Sequence, residues 1–112
     1  MARLILFALL LPAVARAADS AANDYPTSAR ADYVFACMAA NGGTQDALRR
    51  CACSIDVIAA ILPYARYESA DTVLSMRRQT SGYLAETFRS ALSNAIVRQL
   101  QEAQAEAEVR CF

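Results

Sequence analysis

Histidine and lysine are both absent from this chain, and glycine and proline occur only three times each. Without histidine there is no imidazole to serve as base beside a nucleophilic thiol, so the usual arrangement of a cysteine protease is missing. A mixed thiolate and imidazole metal site is missing for the same reason. All 11 basic residues are arginines, balanced by 11 carboxylates, and the only adjacent basic pairs are Arg49-Arg50 and Arg77-Arg78. Such a chain has no basic stripe of the kind that neutralises nucleic-acid phosphates or an anionic bilayer. Paired carboxylates for hydrolysis do not stand out either, since Asp46, Asp56, Glu68, Asp71 and Glu86 fall at ordinary solvent-face spacings. No catalytic constellation emerges, and a non-enzymatic protein is expected. The scarcity of glycine, proline and β-branched runs, with abundant alanine, favours helix throughout.

The N-terminus breaks that uniformity. Met1-Ala2-Arg3, the apolar run Leu4 to Leu11 and then Ala15-Arg16-Ala17 follow the positive, apolar, small-x-small order of an export signal. The apolar run is well short of the ~20 residues that cross a bilayer. No cysteine follows the cut closely enough for a lipid anchor. The expected division is a signal peptide over residues 1–17, a flexible mature N-terminus over 18–27 and one helical domain over 28–112. Removing Arg3 and Arg16 leaves nine arginines against eleven carboxylates, a net charge of −2. The mature protein is expected in a periplasm, free of membrane and of nucleic acid.

The expected fold is all-α, a small bundle of about four helices stapled by two disulfides. Helix 1 is expected from about Ala29 to Ala40, started by the hydroxyls of Thr27-Ser28, with Tyr33, Val34, Cys37 and Met38 on one face. Asn41-Gly42-Gly43 ends it, and Thr44 caps the next. Helix 2, about Gln45 to Leu62, carries the clearest apolar seam, Leu48, Cys51, Ile55, Ile58 and Leu62, and is apolar almost all round, as a buried central helix is. Pro63 ends it, Tyr64 to Glu68 read as a turn, and a short helix 3 follows from about Ser69, with Val73 and Met76 inward. Helix 4 is expected from about Tyr83 to Cys111, with Leu84, Phe88, Leu92, Ile96, Leu100, Ala103, Ala107 and Cys111 in one stripe and a kink near Ser90 to Asn94. It should run antiparallel to helix 2. Asp56, alone on an apolar helix, is expected to pair with an arginine such as Arg89.

Four cysteines in an exported chain imply two disulfides. Cys51 and Cys53 point about 200° apart on a helix and cannot bond each other. Depth in the hairpin favours Cys37–Cys51, which leaves Cys53–Cys111. Sidedness favours the crossed pairing, Cys37–Cys53 with Cys51–Cys111, because Cys51 lies on the seam where helix 4 should pack. Both pairings stay open at this point. An alternative use of Cys51-Ala52-Cys53, with Met38 and Met76, is a thiol-based copper or redox site, since thiolate and thioether ligands suit Cu(I).

Tyr33-Val34-Phe35-Ala36-Cys37-Met38, Asn41-Gly42-Gly43, Cys51-Ala52-Cys53-Ser54-Ile55-Asp56-Val57-Ile58-Ala59 and Tyr64 to Thr72 together resemble small exported four-cysteine proteins of proteobacteria. Some of these are encoded near pyrroloquinoline-quinone alcohol dehydrogenases and their c-type cytochromes. The resemblance spans most of the mature chain, although the segment after Met76 is shorter than in that pattern. It implies an accessory or binding role beside a periplasmic redox enzyme system. The expected function is therefore binding of another periplasmic protein, with no cofactor. The tyrosines Tyr25, Tyr64 and Tyr67 are expected on the surface, Tyr64 and Tyr67 as interface residues.

Overall fold

The computed structural model describes residues 24–112. The signal peptide expected over 1–17 and residues 18–23 of the mature N-terminus lie outside the described residues. The rest of that N-terminal segment is not loose. Tyr25 is 5% exposed and its hydroxyl donates a 2.7 Å hydrogen bond to the carbonyl of Leu62.

Five helices follow one another: α1 (Thr27–Asn41), α2 (Gln45–Ile61), α3 (Tyr64–Gln79), α4 (Gly82–Thr87) and α5 (Ala91–Cys111). No strand occurs among the described residues. The fold is all-α, as the composition implies. α1 starts two residues earlier than expected and without a hydroxyl cap. Pro26 precedes it, with the fixed φ that leads into a helix, and its carbonyl accepts the N–H of Arg30. At the other end Gly42 takes φ 95°, a region that only glycine enters cheaply.

Thr44 caps α2 as expected, its hydroxyl accepting the N–H of Ala47 at 3.1 Å. The buried seam is shifted at its start. Ala47, at 4% exposure, takes the inward place of the first turn, and Leu48 is 36% exposed. Counting in steps of three and four from Ala47 gives Cys51, Ser54 and Ile55, Ile58 and Leu62, all buried. Leu48, three residues before Cys51, lies at the edge of that face.

The turn expected at Tyr64 to Glu68 is instead the start of α3. Pro63 ends α2 and also precedes the first residue of α3, where its carbonyl accepts the N–H groups of Arg66 and Tyr67. α3 is thus a 16-residue helix rather than a short connector, and it buries Tyr67, Ala70 and Val73 on one face. The helix expected from Tyr83 to Cys111 is interrupted between Thr87 and Ala91, at the start of the kink expected near Ser90 to Asn94, and the interruption is a full break rather than a bend. Ser90 is extended there and caps α5 by accepting the N–H of Ser93. Only the first part of the expected stripe is lost. Leu84 and Leu92 are 59% and 74% exposed, whereas Leu100, Ala103 and Ala107 are buried as expected, joined by Val97.

α5 packs against both α2 and α3, and α1 packs against α2. All three pairs are antiparallel. Cys111 meets Cys53, Gln99 meets Arg66 and Asn94 meets Arg77, so α5 descends as α2 and α3 rise. Much of the interior is alanine: Ala59, Ala70, Ala103 and Ala107 are at most 1% exposed. Alanine lets the helices approach closely but buries little apolar area, so cross-links make up for a small core.

Candidate functional site

Both disulfides start from α2. Cys51 bonds Cys37 of α1 and Cys53 bonds Cys111 of α5, with 5.8 Å between Cα atoms in each. The pairing read from depth is the one formed. The crossed arrangement fails because Cys51 faces α1 and Cys53 faces α5. Cys51 is fully buried, Cys37, Cys53 and Cys111 are half-buried, and no described cysteine is free. A copper or thiol-redox use of Cys51-Ala52-Cys53 would need both bonds reduced. Met38 and Met76 are not brought together: Met38 lines a groove beside α1, while Met76 lies at the end of α3, its carbonyl accepting from Thr80. Two disulfides of this kind belong to a chain that folds in an oxidising compartment. No described helix is long and apolar enough to cross a membrane.

The expected surface tyrosines prove to be interior. Tyr25 and Tyr67 are buried and Tyr64 is half-buried. The three rings form one cluster, with centroids 5.2 Å apart for Tyr25 and Tyr64, 5.1 Å for Tyr25 and Tyr67, and 6.3 Å for Tyr64 and Tyr67. The correction follows from α3 beginning at Tyr64: a helix rather than a turn carries Tyr67 inward, where Tyr25 packs on it. Burial pushes the Tyr25 phenol up to about 12, with the Arg30 guanidinium 5.5 Å from its ring working against the shift. Tyr67 is raised further by burial, helped by the Asp71 carboxylate one turn on. Tyr33, half-buried against α2, is raised by burial and lowered in part by a hydrogen bond with Ser54.

Asp56 pairs with Arg30 at 2.7 Å, not with Arg89, which pairs with Glu86. The reason is antiparallel register: starting from Cys51–Cys37, five residues forward on α2 lead to Asp56 and seven residues back on α1 lead to Arg30. This ion pair borders an open, largely apolar groove of about 500 Å³ between α1 and α2. Ala31, Val34, Phe35 and Met38 form one wall, and Ala52 and Ile55 form the other. Phe35 stands at its rim, 80% exposed. Sequence reading overlooked Phe35, although the signal was present: it lies off the Tyr33, Val34, Cys37, Met38 face, so a helix buried on that face must show it to solvent. Tyr83, 86% exposed on α4, is a second such residue.

Comparison with protein-family models, with curated proteins and with solved structures finds no match to this chain.

Proposed function

We propose that this is a non-enzymatic periplasmic protein, exported by cleavage after Ala17, that binds and assists another periplasmic protein through the α1–α2 groove. The observation that carries the reading is Phe35, a large aromatic side chain 80% exposed at the rim of an otherwise apolar groove. From Thr27 to Met38 the groove follows about 16 Å of α1 at 1.5 Å per residue. That length suits an amphipathic helix of the partner, docked with its apolar side chains against Val34, Met38 and Ile55. The rigid frame supports this use, because Cys37–Cys51 ties α1 to α2, the two helices that form the groove, and such a groove loses little conformational freedom on binding. The leader pattern and the two disulfides support export. The resemblance to four-cysteine exported proteins points to a quinone-dependent alcohol dehydrogenase system as the setting.

A photo-reactive phenylalanine analogue at position 35 tests the reading. Irradiation of periplasm should give one discrete adduct with another protein, and the same group at Arg98 on α5 should give none. Phe35→Asp should abolish co-purification of that partner while leaving the unfolding curve unchanged. Absence of an adduct, or equal adducts at both positions, overturns it. N-terminal sequencing of the same material should begin within a residue or two of Ala18.

A further inference from the structure

Another face of α1 borders a second cleft, shared with α3. It is lined by Ser28 and Asp32 on one side and by Tyr64, Tyr67, Glu68 and Asp71 on the other. Its three carboxylates have no cationic partner, because the ion pairs among the described residues engage Asp46, Asp56, Glu86 and Glu106. They do not serve the helix dipoles either. The first turns of α1 and α3 contain no acidic residue, and the dipole's influence fades beyond the first turn. Glu68 and Asp71 are like charges three residues apart on one helix, which costs stability rather than adding it.

An independent observation concerns a hydroxyl. Tyr67 is 9% exposed and lines this cleft, yet its hydroxyl makes no hydrogen bond with any described residue. Tyr25, its neighbour in the aromatic cluster, spends its own hydroxyl on Leu62. No side-chain oxygen among the described residues is both sealed from solvent and unpartnered. The Tyr67 oxygen therefore keeps contact with solvent, on a residue that lines the cleft together with Asp71, and no protein donor among the described residues uses its acceptor capacity.

We infer that this cleft binds the guanidinium group of an arginine carried on an extended segment of another protein. A guanidinium offers five N–H donors in a planar fork, and the cleft offers three carboxylates and a phenol oxygen to receive them. The partly exposed ring of Tyr64 adds aromatic surface against which the same plane can stack. The cleft volume of about 260 Å³ falls below the ~300–1,000 Å³ typical of sites for whole drug-sized ligands. One side-chain head group fits that space. The site goes beyond the groove assigned above, shares no lining residue with it, and stands or falls by a separate measurement.

The test is an amide-resonance titration of the oxidised protein with acetyl-tetra-arginine amide. Saturable shifts are expected at Asp32, Tyr67, Glu68 and Asp71, and none with acetyl-tetra-glutamate amide. The combined D32N/E68Q/D71N variant should bind about tenfold more weakly or worse. Tyr67→Phe, which removes only the unpartnered hydroxyl, should bind severalfold more weakly and unfold at the same temperature or slightly higher. Three results overturn the inference: no saturation at millimolar peptide, unchanged affinity in the triple variant, or shifts centred on Glu102 and Glu106 of α5.

Discussion

The two ends of α5 are held in different ways. At its C-terminal end Cys111 is bonded to α2, two residues from the cysteine that bonds α1, and the side chains beneath are small and fully buried. At its N-terminal end there is no covalent tie. The Arg77 guanidinium donates to the Phe88 carbonyl at 2.6 Å and to Asn94 at 2.7 Å, Ser90 caps the helix, and Tyr83, Leu84 and Leu92 stand in solvent. Where the core is built of alanine, sulfur bridges fix the helices. Where the chain turns through α4, a few polar contacts suffice and the segment is free to open locally. Stability in such a molecule is graded along the chain rather than shared evenly.

Removing the Cys53–Cys111 bond by a double serine substitution should erase the contrast. It opens a loop of 58 residues' separation, which chain-entropy estimates put at about 4 kcal/mol. Urea unfolding should show that loss, and hydrogen exchange should show the end of α5 becoming as labile as α4. The corresponding change at Cys37 and Cys51, with a separation of 14, should cost about 3 kcal/mol and loosen α1 while sparing α3 and α5.

Between the two ends, Tyr25 couples the start of the fold to the α2–α3 junction, and high pH should release it. Its folded-state pKa of about 12 lies above the ordinary 10.0. The folded state therefore holds its proton more tightly, and the associated stability is whole below about pH 10 and lost as pH rises through about 12. Two units correspond to about 2–3 kcal/mol. Tyr25→Phe should flatten that alkaline limb in unfolding curves taken from pH 9 to about 12, at the cost of the Leu62 hydrogen bond.

Arg77→Ala should sharpen the contrast instead. A loss of about 1–2 kcal/mol is expected from its two hydrogen bonds, with faster exchange confined to α4 and the first turn of α5. Leu92→Ser, at 74% exposure, should change stability by less than about 0.5 kcal/mol in the same urea assay.

The stapled half was the more legible in the sequence. Helical rise and the angular step between Cys51 and Cys53 are fixed quantities, so they constrain which partners each cysteine can reach even before the neighbours are known. Thr44 likewise carries its meaning locally, as a cap whose hydroxyl answers a free N–H, whereas the sequence marks Ser90, also a cap, only as a weak place in a longer helix. What could not be read depended on the neighbours. Leu48, Leu84 and Leu92 lie on plausible stripes, but a stripe is buried only where another helix covers it. Pro63 is a stop and a start at once, and choosing only the stop turned the first turn of α3 into a loop and put Tyr67 on the surface. The acidic cleft was equally hidden. Asp32, Glu68 and Asp71 are ordinary charges on two separate helices until the aromatic cluster draws those helices together.

The order of the cysteines along the chain has a further effect. The bridges close two covalent rings, one from Cys37 to Cys51 and one from Cys53 to Cys111, which share no segment and are joined through Ala52 alone. A single peptide bond cut by a protease in the exposed link around Ser81 and Gly82 opens the second ring but frees neither half. The nicked protein keeps its mass, apart from one added water, and both pieces part only when a reductant arrives. For a small protein among proteases, one cut is therefore damage that leaves the halves tethered and able to reseat.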